Sequence, residues 1–198
     1  DVMYYQVELD DELIFLVCFN QKSYLFMQNM INEIVKKLSF YSKDSRTIVV
    51  YSSSCIRIED LPGEILKMRD TSRLYFYTGN KNMLLEQNRV VYNYELDYKK
   101  LEELENKVVK AIKNVCYEEF ENAVQSLFLD IQNQKYHPDK IVTELKFLLQ
   151  RIIKVVHCSH HYKEDILVLL DNLLNGLESK FVTLNEFENK MKDILKSY

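Results

Sequence analysis

Two apolar runs open the chain. MYYQVEL (residues 3–9) and LIFLVCF (13–19) are rich in β-branched and aromatic side chains, with Asp10, Asp11 and Glu12 between them. This pattern predicts a β-hairpin whose turn holds the three acids exposed to solvent. From residue 22 to 43 the spacing becomes helical, with Leu25, Met30 (beside Phe26), Ile34, Leu38 and Tyr41 on one face. TIVVYSSSC (47–55) reads as a third strand. EDLPGEILKMRDTSRLYFYTG (59–79) reads as a second helix, starting near Leu61-Pro62 and stopping at Gly79. NRVVYNYEL (88–96) reads as a fourth strand. The order β-β-α-β-α-β is most of a ferredoxin-like or nucleotide-cyclase-like α/β sandwich.

From Asp97 onward the pattern is helical to the end. Leu101, Leu104, Val108, Ala111 and Val115 form one stripe. Phe120, Val124, Leu127, Phe128 and Ile131 form a second, out of phase with the first, so a turn is expected around 114–118. Pro138 suits the first turn of a third helix, with an apolar face of Ile141, Leu145, Leu148, Leu149, Ile152 and Val156. A fourth helix ends near Gly176, and Thr183 with Glu186 forms a capping box for the last. The fold class expected is α+β: an α/β domain over 1–96 followed by an all-helical region over 97–198.

Composition narrows the chemistry. Three glycines in 198 residues exclude a glycine-rich phosphate cradle. A net charge of −4 is not the footprint of a nucleic-acid-binding domain, and no apolar stretch approaches a bilayer span. Cys18, Cys55, Cys116 and Cys158 are scattered without a C-x-x-C pair, as expected of reduced, mostly buried thiols in the cytoplasm. The chain starts at Asp1 rather than a methionine and is expected to be a piece of something longer.

Two groups of residues carry candidate chemistry. His157, Cys158, His160 and His161 supply metal-ligand atoms within five residues, yet no second ligand pair exists elsewhere and His137 is isolated in the sequence. Histidines grouped at the C-terminal end of a helix, facing its carbonyls, account for the cluster without a metal. Tyr75, Tyr77, Tyr92 and Tyr94 concentrate in the α/β half, where they can fill a core or line a ligand pocket between the sheet and the helices.

Residues 56–84, IRIEDLPGEILKMRDTSRLYFYTGNKNML, carry a family resemblance through Ile58 to Pro62, Leu74 to Tyr77, and Gly79. The stretch resembles the central regulatory region of AraC-type (YesN-like) bacterial transcription regulators, which itself looks like a degenerate GGDEF domain. LDDELIFLV (9–17) is similar to the signature hairpin of that domain, with Asp11-Glu12-Leu13 in the D-E-F positions and Leu9-Asp10 in place of the glycines. Loss of those glycines removes the close backbone approach a nucleotide needs. The resemblance therefore implies a protein that is not an enzyme and uses no cofactor. Pro138-Asp139, opening an apolar helix, is also similar to the region that follows in these regulators. What is implied is a cytoplasmic sensory domain, forming a homodimer and receiving a small-molecule or protein signal. It would meet DNA only through a helix-turn-helix domain beyond Tyr198, and would have no contact with membrane. An interaction module without a ligand, and an enzyme built on the histidines or on residual cyclase chemistry, are the alternatives.

Overall fold

Local sequence explains most of the element order in the computed structural model, which describes residues 3–9, 12–18, 24–41, 47–52, 57–79, 82–87, 91–159, 164–177 and 183–196. Strands β1 (Met3–Leu9) and β2 (Glu12–Cys18) pair antiparallel, from Met3 opposite Cys18 to Leu9 opposite Glu12. Glu12 is therefore the first residue of β2 and not a turn residue, a correction to the expected three-acid turn. Asp10 and Asp11 lie outside the described residues.

Helix α1 (Tyr24–Tyr41) precedes β3 (Thr47–Tyr51). Its expected apolar face is corrected in part: Phe26 and Ile34 are exposed, while Met30 and Ile31 are half-buried. A 3-10 turn (Ile58–Asp60) leads into α2 (Leu61–Ser72), with Pro62 in its first turn, then the single turn α3 (Tyr75–Thr78). One helix was expected here. It breaks at Arg73 and Leu74, whose N–H groups bond three residues back to the Asp70 and Thr71 carbonyls, where the Thr71 and Ser72 hydroxyls also bond back to the carbonyls of Lys67 and Arg69. Gly79, at φ 66°, takes the left-handed stop conformation at the end of α3.

The fourth strand is β4 (Asn82–Glu86), parallel to β3, with Val49 opposite Leu84. Of the strand expected over 88–96, residues 88–90 lie outside the described residues and the rest forms only an isolated bridge at Asn93, so the strand that pairs with β3 comes earlier than expected, in the order β-β-α-β-α-α-β. The four strands form two separate pairs, β1-β2 and β3-β4, so no single four-stranded sheet is formed among the described residues. Helices α1 and α2 both pack on the parallel pair, as a crossover-linked pair of strands requires.

Five helices follow among the described residues: α4 (Tyr98–Lys113), α5 (Tyr117–Gln134), α6 (Pro138–Cys158), α7 (Glu164–Gly176) and α8 (Leu184–Lys196). The apolar faces expected for α5 and α6 are buried in full. On α4 the buried face is Leu101, Glu105, Val108, Val109, Ala111 and Ile112, whereas Val115 is exposed in the turn after the helix. The capping box forms as read: Glu186 N–H donates to Thr183 Oγ1 (3.1 Å) and Thr183 N–H to the Glu186 carboxylate (3.2 Å). Helix α8 closes the bundle against α5, with Phe128 and Phe187 stacked at 5.9 Å. The bulk of the molecule is this helical core, and Phe76 of α3 is part of it. Among the described residues no helix is long and apolar enough to cross a membrane. Cys116 is half-buried, and Cys158 is exposed, contrary to the expectation of buried thiols.

Candidate functional site: an aromatic and charged joint

The joint begins with two backbone events. Lys135 adopts a left-handed conformation (φ 48°) that ends α5 and turns the chain into Tyr136 and His137. There it meets residues 91–97. Asn93 N–H donates to the Lys135 carbonyl (2.9 Å) and His137 N–H to the Asn93 carbonyl (3.0 Å), an isolated parallel bridge. Extended backbone sends residues i and i+2 to the same side. Accordingly Tyr92 and Tyr94, on either side of Asn93, both reach the His137 ring. Tyr94 stacks on it at 5.1 Å and Tyr92 meets it edge-on at 5.3 Å.

The end of α2 supplies the charge. Asp70 lies with Oδ1 3.6 Å from His137 Nε2, an ion-pair distance when the imidazole is protonated, and its Oδ2 accepts from the Tyr94 hydroxyl (3.2 Å). Arg73, one turn on, pairs with Asp139 in the first turn of α6 at 3.4 Å. Lys140 donates its ammonium to the Tyr94 carbonyl. His137 caps α6 without a side-chain bond to that helix, so its ring is free to face Asp70. Tyr77 of α3 donates its hydroxyl to the Tyr136 carbonyl, and its ring lies 6.4 Å from that of Tyr92.

The phenols are held in their donor form. Burial is the main cause for Tyr92, joined by Tyr77, Asp70 and Tyr94 and opposed by Arg73, and it raises the group well above the ordinary tyrosine value. Tyr77 is raised in the same way by burial and by Tyr136. Burial and the Asp70 carboxylate raise Tyr94. The arrangement can therefore donate hydrogen bonds and exchange partners at Asp70, and it presents no ionised phenolate for nucleophilic or base chemistry.

Of the four expected tyrosines, Tyr77, Tyr92 and Tyr94 converge, while Tyr75 is buried at the start of α3. They lie between the α2–α3 segment and the start of α6, not between a sheet and the helices. The residue that joins them, His137, stands isolated in the sequence and is brought in by the fold. Its signal is a histidine placed before a helix-initiating proline, matched to a Tyr-x-Tyr alternation.

Of the histidine cluster, half lies among the described residues. His157 is exposed in the last turn of α6 with Cys158 beside it, and His160 and His161 lie outside the described residues. Among the described residues no three His, Cys, Asp or Glu side chains gather as a metal would need. The chain matches no protein-family model, no curated protein and no solved structure.

Proposed function

We propose that this chain is a regulatory region of an AraC-type transcription regulator, working as a cytoplasmic homodimer and biasing an attached helix-turn-helix domain through the joint at Asp70, Tyr94 and His137. The observation that carries this reading is the composition of the joint. The end of α2 meets the apolar bundle through ion pairs and hydrogen bonds beside the Tyr94–His137 stack, with Tyr94 51% exposed, whereas α3 is anchored in the core by Phe76. Contacts of this kind can be exchanged between two arrangements at low cost, which packed cores do not permit. A small-molecule or protein signal would act by binding one arrangement better than the other.

Support also comes from the resemblance over 56–84, along which the 3-10 turn, α2, α3 and the Gly79 stop follow in order. In this proposal residues 1–96 are a degenerate GGDEF-like domain, a reading favoured by a hairpin followed by alternating helices and strands, and residues 97–198 are the helical region leading to the DNA-binding module.

The test uses the full-length protein. Its reading frame is expected to encode a helix-turn-helix pair after Tyr198. Asp70→Asn and Tyr94→Ala are expected to change affinity for promoter DNA about 5- to 150-fold with little change in thermal midpoint. A reading frame without that pair, or variants with unaltered DNA affinity, overturns the proposal.

A ligand-free interaction module is favoured by one observation. Leu129 of α5, Phe147 of α6, and Val168 and Leu169 of α7 are large apolar side chains exposed on the bundle. A dimer in sedimentation that Phe147→Glu weakens, with no metabolite altering the thermal midpoint, supports that reading instead.

A further inference from the structure

The first two strands form an unfinished sheet. Among the described residues β1 and β2 pair only with each other, so each keeps one edge open. The β3–β4 pair has α1 and α2 packed against it, whereas β1 and β2 pack chiefly on one another. A lone two-stranded hairpin is marginally stable in water, and an open edge is a row of unpaired N–H and C=O groups.

The two strands of the hairpin differ in sequence. The second half of β1 alternates, with Gln6 exposed and Glu8 two residues on, the pattern of a strand that meets water. β2 has no such alternation. After Glu12 it runs Leu13-Ile14-Phe15-Leu16-Val17-Cys18, without a charge, proline or glycine. Successive strand residues point to opposite faces, so an unbroken apolar run reads as an interior strand covered on both. Ile14 is nevertheless only half-buried. The charges and prolines that protect a free edge are missing from the run. Helix α1, which follows β2, is unfinished in the same sense. Phe26 is 65% and Ile34 43% exposed, with Met30 half-buried midway between them on one stripe.

Self-complementarity names the occupant of the β2 edge. About a two-fold axis an antiparallel strand meets its own sequence reversed. The uncharged run of β2 does so without opposing like charges, because Glu12 lies at one end of the strand. The product is a four-stranded antiparallel sheet with β2 strands at its centre and the more polar β1 strands outside. Three or more strands are what a sheet needs for stability of its own. The apolar side chains exposed on the bundle, Leu129, Phe147, Val168 and Leu169, belong to three different helices and offer no comparable edge.

We propose that β2 is a homodimer interface: the β2 edges of two copies pair antiparallel about a two-fold axis, joining two hairpins into one sheet. This inference rests on the homodimer reading above and assigns its contact surface.

Sedimentation of the 198-residue chain is expected to show a dimer. A substitution in β2 enters such a contact twice. Ile14→Lys, which charges the pairing strand, is therefore expected to weaken self-association at least about tenfold. Phe147→Glu is expected to leave it unchanged. A dimer that Phe147→Glu disperses and Ile14→Lys does not overturns this inference while the homodimer reading stands. A monomeric native chain overturns both, even if Ile14→Lys lowers its thermal midpoint, for the β2 edge is then satisfied within its own chain. Should Ile14→Lys fail to fold, NMR on a mixture of isotope-labelled and unlabelled native chains takes its place. Contacts between copies are expected at the amides of residues 13–17, and contacts confined to other residues overturn the proposal.

Discussion

Val115 shows how closely a single residue can be read. It follows α4 with φ at 51°, in the left-handed region that a β-branched side chain rarely adopts. The hydrogen bonds around it form a Schellman closure: Cys116 N–H reaches the Ala111 carbonyl and Val115 N–H the Ile112 carbonyl. Glycine is the residue suited to that position, and the Val115 side chain is 58% exposed, so it contributes little packing. Val115→Gly is therefore expected to stabilise the chain by about 1 kcal/mol, measured by urea unfolding. The tyrosines of the joint separate by the same reasoning. Tyr77 bonds the Tyr136 carbonyl, so Tyr77→Phe is expected to cost about 1 kcal/mol. The Tyr92 hydroxyl is buried with no hydrogen-bond partner among the described residues. Removing it in Tyr92→Phe is expected to leave stability unchanged or raise it by up to about 1 kcal/mol. A loss in Tyr92→Phe equal to that in Tyr77→Phe would show that the Tyr92 hydroxyl is satisfied in solution.

At the scale of elements, legibility followed the strength of local signals. The faces of α5 and α6 are long, regular and uninterrupted, so periodicity alone placed every buried residue expected on them. The caps at Thr183, Pro138 and Gly79 were equally plain, because each depends on a few adjacent residues. On α4 the apolar pattern admitted two frames. The sequence favours one ending on Val115, but the buried one runs through Glu105 and Ile112, because a carboxylate held by Arg151 of α6 occupies a core position. That partner is 46 residues away, and no local rule finds it. The fourth strand failed for a related reason. Within the alternating aromatics of 91–97 one residue, Asn93, does form a β-bridge. Its partner is Tyr136 of the helical half, not β3. The edge of β3 is taken by the shorter run Met83-Leu84-Leu85, whose periodicity is too brief to distinguish strand from helix. Three tyrosines of the candidate site were visible in the sequence, whereas His137 and Asp70 become neighbours only through the turn at Lys135.

For the whole molecule, the change of pattern at Asp97 is not where the packing divides. Phe76, twenty-one residues earlier, is buried in the same core as Val108, Leu149 and Phe187, and Tyr77 and Leu96 pack against it. The end of α3 meets the cap of α8, where Gly79 lies opposite Thr183. The helical region thus depends on side chains that precede it. Phe76→Ala is expected to cost about 3–5 kcal/mol, read as a lower urea midpoint of the helical signal at 222 nm. That signal comes mostly from α4 to α8, so the shift reports on the bundle rather than on the strands. A fragment spanning 97–198 lacks the same plug together with the Tyr77–Tyr136 bond, and is expected to unfold at lower urea than the whole chain. An unaltered midpoint in both would establish the two halves as independent folding units. Transmission between them through the Asp70–His137 joint would then lose its structural basis, since a bundle indifferent to Phe76 has no reason to respond to α2.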